Sequence, residues 1–190
     1  MKSPVDIFVH VGQLLDELGI VYAVVGSVAS SLYGDARATA DVDILTDLQD
    51  GHVPRLCAAL ETDFYVDELA VRRAVRSRRL FNAIHFQSLF KVDFYVAPHD
   101  DYTREQLKRR RLERLLPDSP DAIYLASPED ILLVKLRWHR RGGEVSARQL
   151  TDAVGILKVR GRQLDFEYLL KWADILGVRD LLKKLDEQPR

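Results

Sequence analysis

The stretch Val24–Leu45, reading VVGSVASSLYGDARATADVDIL, limits what this chain can fold into more than any other. A short apolar run leads into Gly26-Ser27, then a small-residue segment, a polar loop ending Arg37-Ala38-Thr39, and a second apolar run carrying Asp41 and Asp43. The apolar runs read as strands and the segment between them as a short helix. Side chains alternate across a strand, so Asp41 and Asp43 project from one face while Val42 and Ile44 take the other. One face can join the core and the other is left for chemistry.

Two carboxylates converging at a strand end are a natural seat for a hard divalent cation. Magnesium takes oxygen ligands in an octahedron, keeps several waters, and is usually held by one or two carboxylates plus substrate phosphates. Gly26-Ser27 offers a separate cradle for those phosphates. Glycine permits close backbone approach, and a helix starting there aims unpaired N–H groups and its positive dipole end at an anion. Arg37 and Thr39, just ahead of the acidic strand, are placed either to touch a phosphate or to brace the loop. The plain alternative is that Gly26-Ser27 is only a strand-to-helix turn.

Around this stretch the chain reads as an α/β protein. Pro4–Gly19 carries Ile7, Phe8, Val11, Leu14, Leu15 and Leu18 at helical spacing, and Gly34 is placed to stop the short helix after Ser27. Pro54–Leu60 reads as a helix in which Cys57 is a small buried hydrophobe. Leu80–Phe86 and Phe90–Val96 read as strands joined by Gln87-Ser88, an antiparallel hairpin within a mixed sheet. In the second of them Lys91, Asp93 and Tyr95 share a face. An acid in mid-strand between bulky apolar residues is costly unless it meets solvent, a metal or a partner.

Ser127-Pro128-Glu129-Asp130 has the form of a helix start, with Ser127 as cap and acids at the positive dipole end. The helix that follows places Ile131, Leu132, Val134, Leu136 and Trp138 in the core. Segments 146–159, 166–176 and 179–185 read as further amphipathic helices, in which Arg148 and Asp152 at i,i+4 are explained by an ordinary ion pair at least as well as by substrate contact. The expected organisation is a core over residues 1–120 and a mainly helical part over 121–190 packed on it.

The chain has 190 residues and a formal net charge of −1, which excludes wholesale electrostatic adhesion to nucleic acid or membrane. Two basic runs, Arg72–Arg79 and Lys108–Arg114, lack interleaved stacking aromatics and read first as solvated faces. One cysteine makes no internal disulfide. No apolar run of membrane-spanning length and no signal-like start are present, so a soluble, cytoplasmic protein is expected.

Gly26-Ser27, Arg37-Ala38-Thr39, Asp41-Val42-Asp43, and Asp93 within Lys91-Val92-Asp93-Phe94-Tyr95 together resemble the nucleotidyltransferase superfamily related to DNA polymerase beta. More narrowly, the chain is similar to small bacterial nucleotidyltransferase-like proteins akin to the toxins of AbiE-type toxin and antitoxin systems. The resemblance covers most of the chain, although the spacer from Ser27 to Asp41 is longer than in some of those toxins. It implies a nucleotidyltransferase fold: a short mixed sheet backed by helices, with a helical C-terminal part. It implies transfer of a nucleoside monophosphate from a nucleoside triphosphate such as ATP to a hydroxyl of RNA, protein or a small molecule. Asp41 and Asp43 would hold Mg²⁺ (or Mn²⁺) on the triphosphate, and Asp93 would serve a second metal and help deprotonate the acceptor. Gly26 and Ser27 would hold the leaving phosphates. In the family resembled, a lysine in the equivalent Ser-Pro-Glu-Asp segment lies near the nucleotide, which nominates Lys135 alongside Arg37 and Thr39. An antitoxin partner is implied by the narrower likeness.

Three other readings stay open at this point. A glycosyltransferase also uses Asp-x-Asp with a cation, but the Gly-Ser turn and third strand acid fit it poorly. A catalytically idle protein of the same fold would bind nucleotide or a partner without turnover. A hydrolase or metal-binding protein without a nucleotide is a poor match to scarce, unclustered His and Cys.

Overall fold

The computed structural model describes residues 3–36, 38–115 and 122–187. They divide into two compact units, each made from two stretches of chain: Met1–Val25 with Thr39–Leu125, and Gly26–Ala38 with Ala126–Arg190.

The first unit contains all seven described strands: β1 (Tyr22–Val25), β2 (Asp41–Thr46), β3 (Phe64–Tyr65), β4 (Leu80–His85), β5 (Lys91–Val96), β6 (Arg111–Arg114) and β7 (Ala122–Leu125). They form one mixed sheet in the order β3-β4-β5-β2-β1-β7-β6. The β4–β5 hairpin is antiparallel, as its sequence predicts, and β5 then lies parallel to β2 with Asp43 opposite Asp93. The apolar face carries Val42, Ile44, Val92 and Phe94, each 0% exposed. Phe94 stacks on Phe81 across β4 and β5 with ring centroids 4.8 Å apart. This face anchors the two acidic strands, so the opposite face inherits a fixed register.

Helix α1 (Pro4–Glu17) starts in a capping box: Ser3 Oγ accepts from the Asp6 amide and the Asp6 carboxylate accepts from the Ser3 amide. It buries Ile7, Phe8, Val11 and Leu15. Helix α3 (Val53–Leu60) buries Cys57, as expected, and α4 (Glu68–Ser77) is capped by Asp67. Two elements are not evident in the sequence. Helix α5 (Asp101–Lys108) is polar on most of its surface, and β6 buries none of its four residues.

The second unit holds α2 (Gly26–Tyr33), α6 (Pro128–Arg141), α7 (Ala147–Arg160), α8 (Phe166–Leu176) and α9 (Arg179–Asp186). Ser127 caps α6 as predicted. Trp138 does not join the core; it is 49% exposed, and Leu133 takes a buried place on α6 instead. Buried acids near the α6 start are matched by donors: Glu129 accepts from the Asp165 amide, and Asp130 from the Ser127 and Tyr168 hydroxyls. Gly34 is not needed for a left-handed stop. A Cβ there would lie 2.9 Å from backbone atoms of Gly155 and Ile156, so glycine lets α2 and α7 approach closely. No helix among the described residues is long and apolar enough to cross a membrane.

Candidate active site

Alternation along β2 and β5 and the parallel register between them set the acidic face. Asp41 lies opposite Lys91, Asp43 opposite Asp93, and Leu45 opposite Tyr95. Neighbouring strands run about 5 Å apart, so the three carboxylates and the lysine share one small patch of sheet. Asn82 of β4 is the register partner of Asp93 on its other side, and Val25 of β1 is that of Asp43.

Each acid has a different setting. Thr39 Oγ1 donates to Asp41 Oδ1 over 2.9 Å, so Thr39 braces the first carboxylate of the triplet. Tyr95 is hydrogen-bonded to Asp43; burial, then the charges of Asp43 and Asp93, push its phenol up to about 12, which keeps it a donor. Asp93 is 5% exposed. Lys91 Nζ lies 2.7 Å from its Oδ2, while its buried Oδ1 has no hydrogen-bond partner. The Asp93 hydrogen bond, reinforced by the charges of Asp93, Asp41 and Asp43, raises the Lys91 pKa. Lys91 and Tyr95 are therefore part of the acidic face, although only their shared strand face is readable from the sequence.

Among the described residues no group of three or more His, Cys, Asp or Glu is already gathered as a metal centre. The donor set nevertheless fits a hard divalent cation: acidic oxygens on one face, with a buried carboxylate oxygen left over.

In the second unit, Gly26 opens α2 with φ 65°, a left-handed conformation natural to glycine. Ser27 is buried, and its Oγ accepts from Arg148 Nη2 at 3.2 Å. Lys135 is buried with its Nζ 2.6 Å from Asp152 Oδ2, and Ser30 Oγ donates to the same oxygen at 3.4 Å. Sequence reasoning pairs Arg148 with Asp152; the structure directs Arg148 to Ser27 and gives Asp152 to Lys135. Arg37 lies outside the described residues.

The first basic run is occupied with its own fold. Arg72 pairs with Glu68, Arg73 donates to the Leu69 carbonyl, and Arg78 reaches the carbonyls of Leu48 and Ala97. In the second run, Arg110 lies over the Tyr124 ring at 4.6 Å.

The seven-stranded mixed sheet backed by helices is similar in fold to solved nucleotidyltransferase structures. No protein-family model matches the chain, and no curated protein matches it. Solved structures do. An antigenic nucleotidyltransferase-like protein from Paracoccidioides brasiliensis is similar with a TM-score of 0.54 and 19% identity, over 94% of this chain and 90% of that one. The antibiotic-resistance factor ANT(2")-Ia, solved in complex with adenylyl-2"-tobramycin, is similar with a TM-score of 0.52 and 15% identity, over 91% of this chain and 95% of that one.

Proposed function

We propose that this protein is a metal-dependent nucleotidyltransferase that moves a nucleoside monophosphate from a nucleoside triphosphate to a hydroxyl acceptor. The observation that carries the reading is the register of Asp41, Asp43 and Asp93 on one sheet face, with the buried Asp93 Oδ1 unpartnered. A buried carboxylate oxygen without a partner is costly in a purely structural acid and is explained by a ligand it is built to receive.

In this reading Asp41 and Asp43 would hold Mg²⁺ or Mn²⁺ with the triphosphate, and Asp93 would share in metal binding. The bound cation would neutralise phosphate charge and make the acceptor hydroxyl easier to deprotonate. The acceptor oxygen forms a bond to the α-phosphorus, the bond to the β-phosphate oxygen breaks, and pyrophosphate leaves. Asp93 takes the acceptor proton. Thr39 keeps Asp41 oriented and Tyr95 does the same for Asp43. Gly26, Ser27 and Arg148 are assigned to the phosphates, with Lys135 acting through Asp152 to hold helix α7 in place for Arg148.

The adenylylated antibiotic held by ANT(2")-Ia gives a precedent for a small-molecule acceptor on this fold. The resemblance to AbiE-type toxins gives the other acceptors, RNA or protein, together with an antitoxin partner. Titration calorimetry with each ribonucleoside triphosphate tests the reading: binding should require a divalent cation, and Asp41→Asn with Asp43→Asn should abolish that requirement. Equal triphosphate affinity with Mg²⁺ and with chelator would contradict it.

A further inference from the structure

Resting on that reading of the acidic face, we propose that Lys91 is a built-in competitor of the divalent cation at Asp93. Its ammonium lies on Oδ2 and must leave that oxygen before both oxygens of the carboxylate can serve a metal. The inference concerns the order in which the face is filled. Asp93 offers its unpartnered Oδ1 to a cation from the start, whereas Oδ2 is released only by exchange of one cation for another.

Three observations support it. Lys91 and Asp93 are two apart on β5 and therefore project from the same face, with Nζ and Oδ2 2.7 Å apart. Their side chains differ in exposure, 40% for Lys91 and 7% for Asp93, so the acid is fixed while the lysine has solvent to swing into. Lysine's flexible four-carbon stem and point charge suit a partner that can come and go. The parallel register also puts Asp43 beside Asp93 and Asp41 beside Lys91. Without a cation at this corner a buried carboxylate would sit uncompensated next to two others, and a buried charge that loses its partner is strongly destabilising. The lysine thus compensates the buried carboxylate on folding, at the expense of metal affinity.

The test is Mn²⁺ binding without nucleotide, followed by the electron paramagnetic resonance signal of the free ion, for the wild type, Lys91→Met and Lys91→Arg. Removing a charge-assisted hydrogen bond from a ligand oxygen should tighten Mn²⁺ binding by about tenfold or more in Lys91→Met, while Lys91→Arg stays near the wild type. Metal-free Lys91→Met should melt below the wild type and gain more from added Mn²⁺. If that variant does not fold, the wild type still decides: acetylation of Lys91 by an activated ester, located by mass spectrometry, should rise as Mn²⁺ is added. Unchanged Mn²⁺ affinity in a folded Lys91→Met, or acetylation indifferent to Mn²⁺ that the wild type binds, overturns the role of Lys91. Absence of Mn²⁺ binding by every form overturns the metal-dependent reading along with it.

Discussion

Lys135 donates a hydrogen bond to Asp152 over 2.6 Å, from α6 to α7, with the two side chains only 5% and 8% exposed. A pair this buried is a coupled unit: removing one member leaves the other charge in the interior. Lys135→Met should therefore cost about 3 kcal/mol, read as a fall of roughly 6–12 °C in Tm for a domain of this size. An unchanged melting temperature would show that the pair carries no stability.

Gly26 calls for a two-variant comparison, because its φ of 65° gives it a backbone duty as well as any duty to phosphate. Gly26→Val should destabilise by about 1–2 kcal/mol or more, the cost of a left-handed conformation for an ordinary residue. Asparagine tolerates that conformation, so Gly26→Asn should melt near the wild type yet bind triphosphate more weakly. Wild-type affinity in Gly26→Asn would reduce the glycine to a turn residue.

Cys57 should be chemically quiet. Burial, helped by the charge of Glu68, pushes its thiol from 9.0 to about 11. The thiolate fraction at pH 8 is then about a hundredfold below that of an unperturbed cysteine, and alkylation of the native protein should be slower by at least that factor. The raised pKa also sets a sign. Its contribution to stability is fully present below pH 9 and is lost as pH rises through about 11. Alkylation at the rate of a free thiol would contradict the burial of α3.

These residues show how much of the molecule could be read in advance. Asp41 and Asp43 were legible because alternation is local: two acids flanked by Val42 and Ile44 admit one strand face. Ser127-Pro128 announced α6 for a similar reason. The register that puts Asp43 beside Asp93 was not legible, since it joins residues fifty positions apart through a parallel pairing that no turn dictates. The contacts of Lys91 with Asp93 and of Arg148 with Ser27 were not legible either, being set by packing. Helix α5 and strand β6 carry few apolar residues, so a hydrophobic pattern has little to mark them by. Gly34 has the look of a helix stop, and only the helix against it reveals that it serves close approach.

The most direct test of the central claim is transfer of label from an α-phosphate-labelled triphosphate to acceptors in a cell extract, comparing the wild type with Asp93→Asn alongside their magnesium-triphosphate affinities. Asp41 and Asp43 remain intact in the variant, so affinity should stay within a few-fold. Loss of the buried carboxylate proposed to take the acceptor proton should lower transfer by on the order of 10²-fold or more. Transfer by Asp93→Asn at the wild-type rate would contradict the role of the three-acid face, and a wild type that binds triphosphate but labels nothing would mark the protein as a binding module on a nucleotidyltransferase fold.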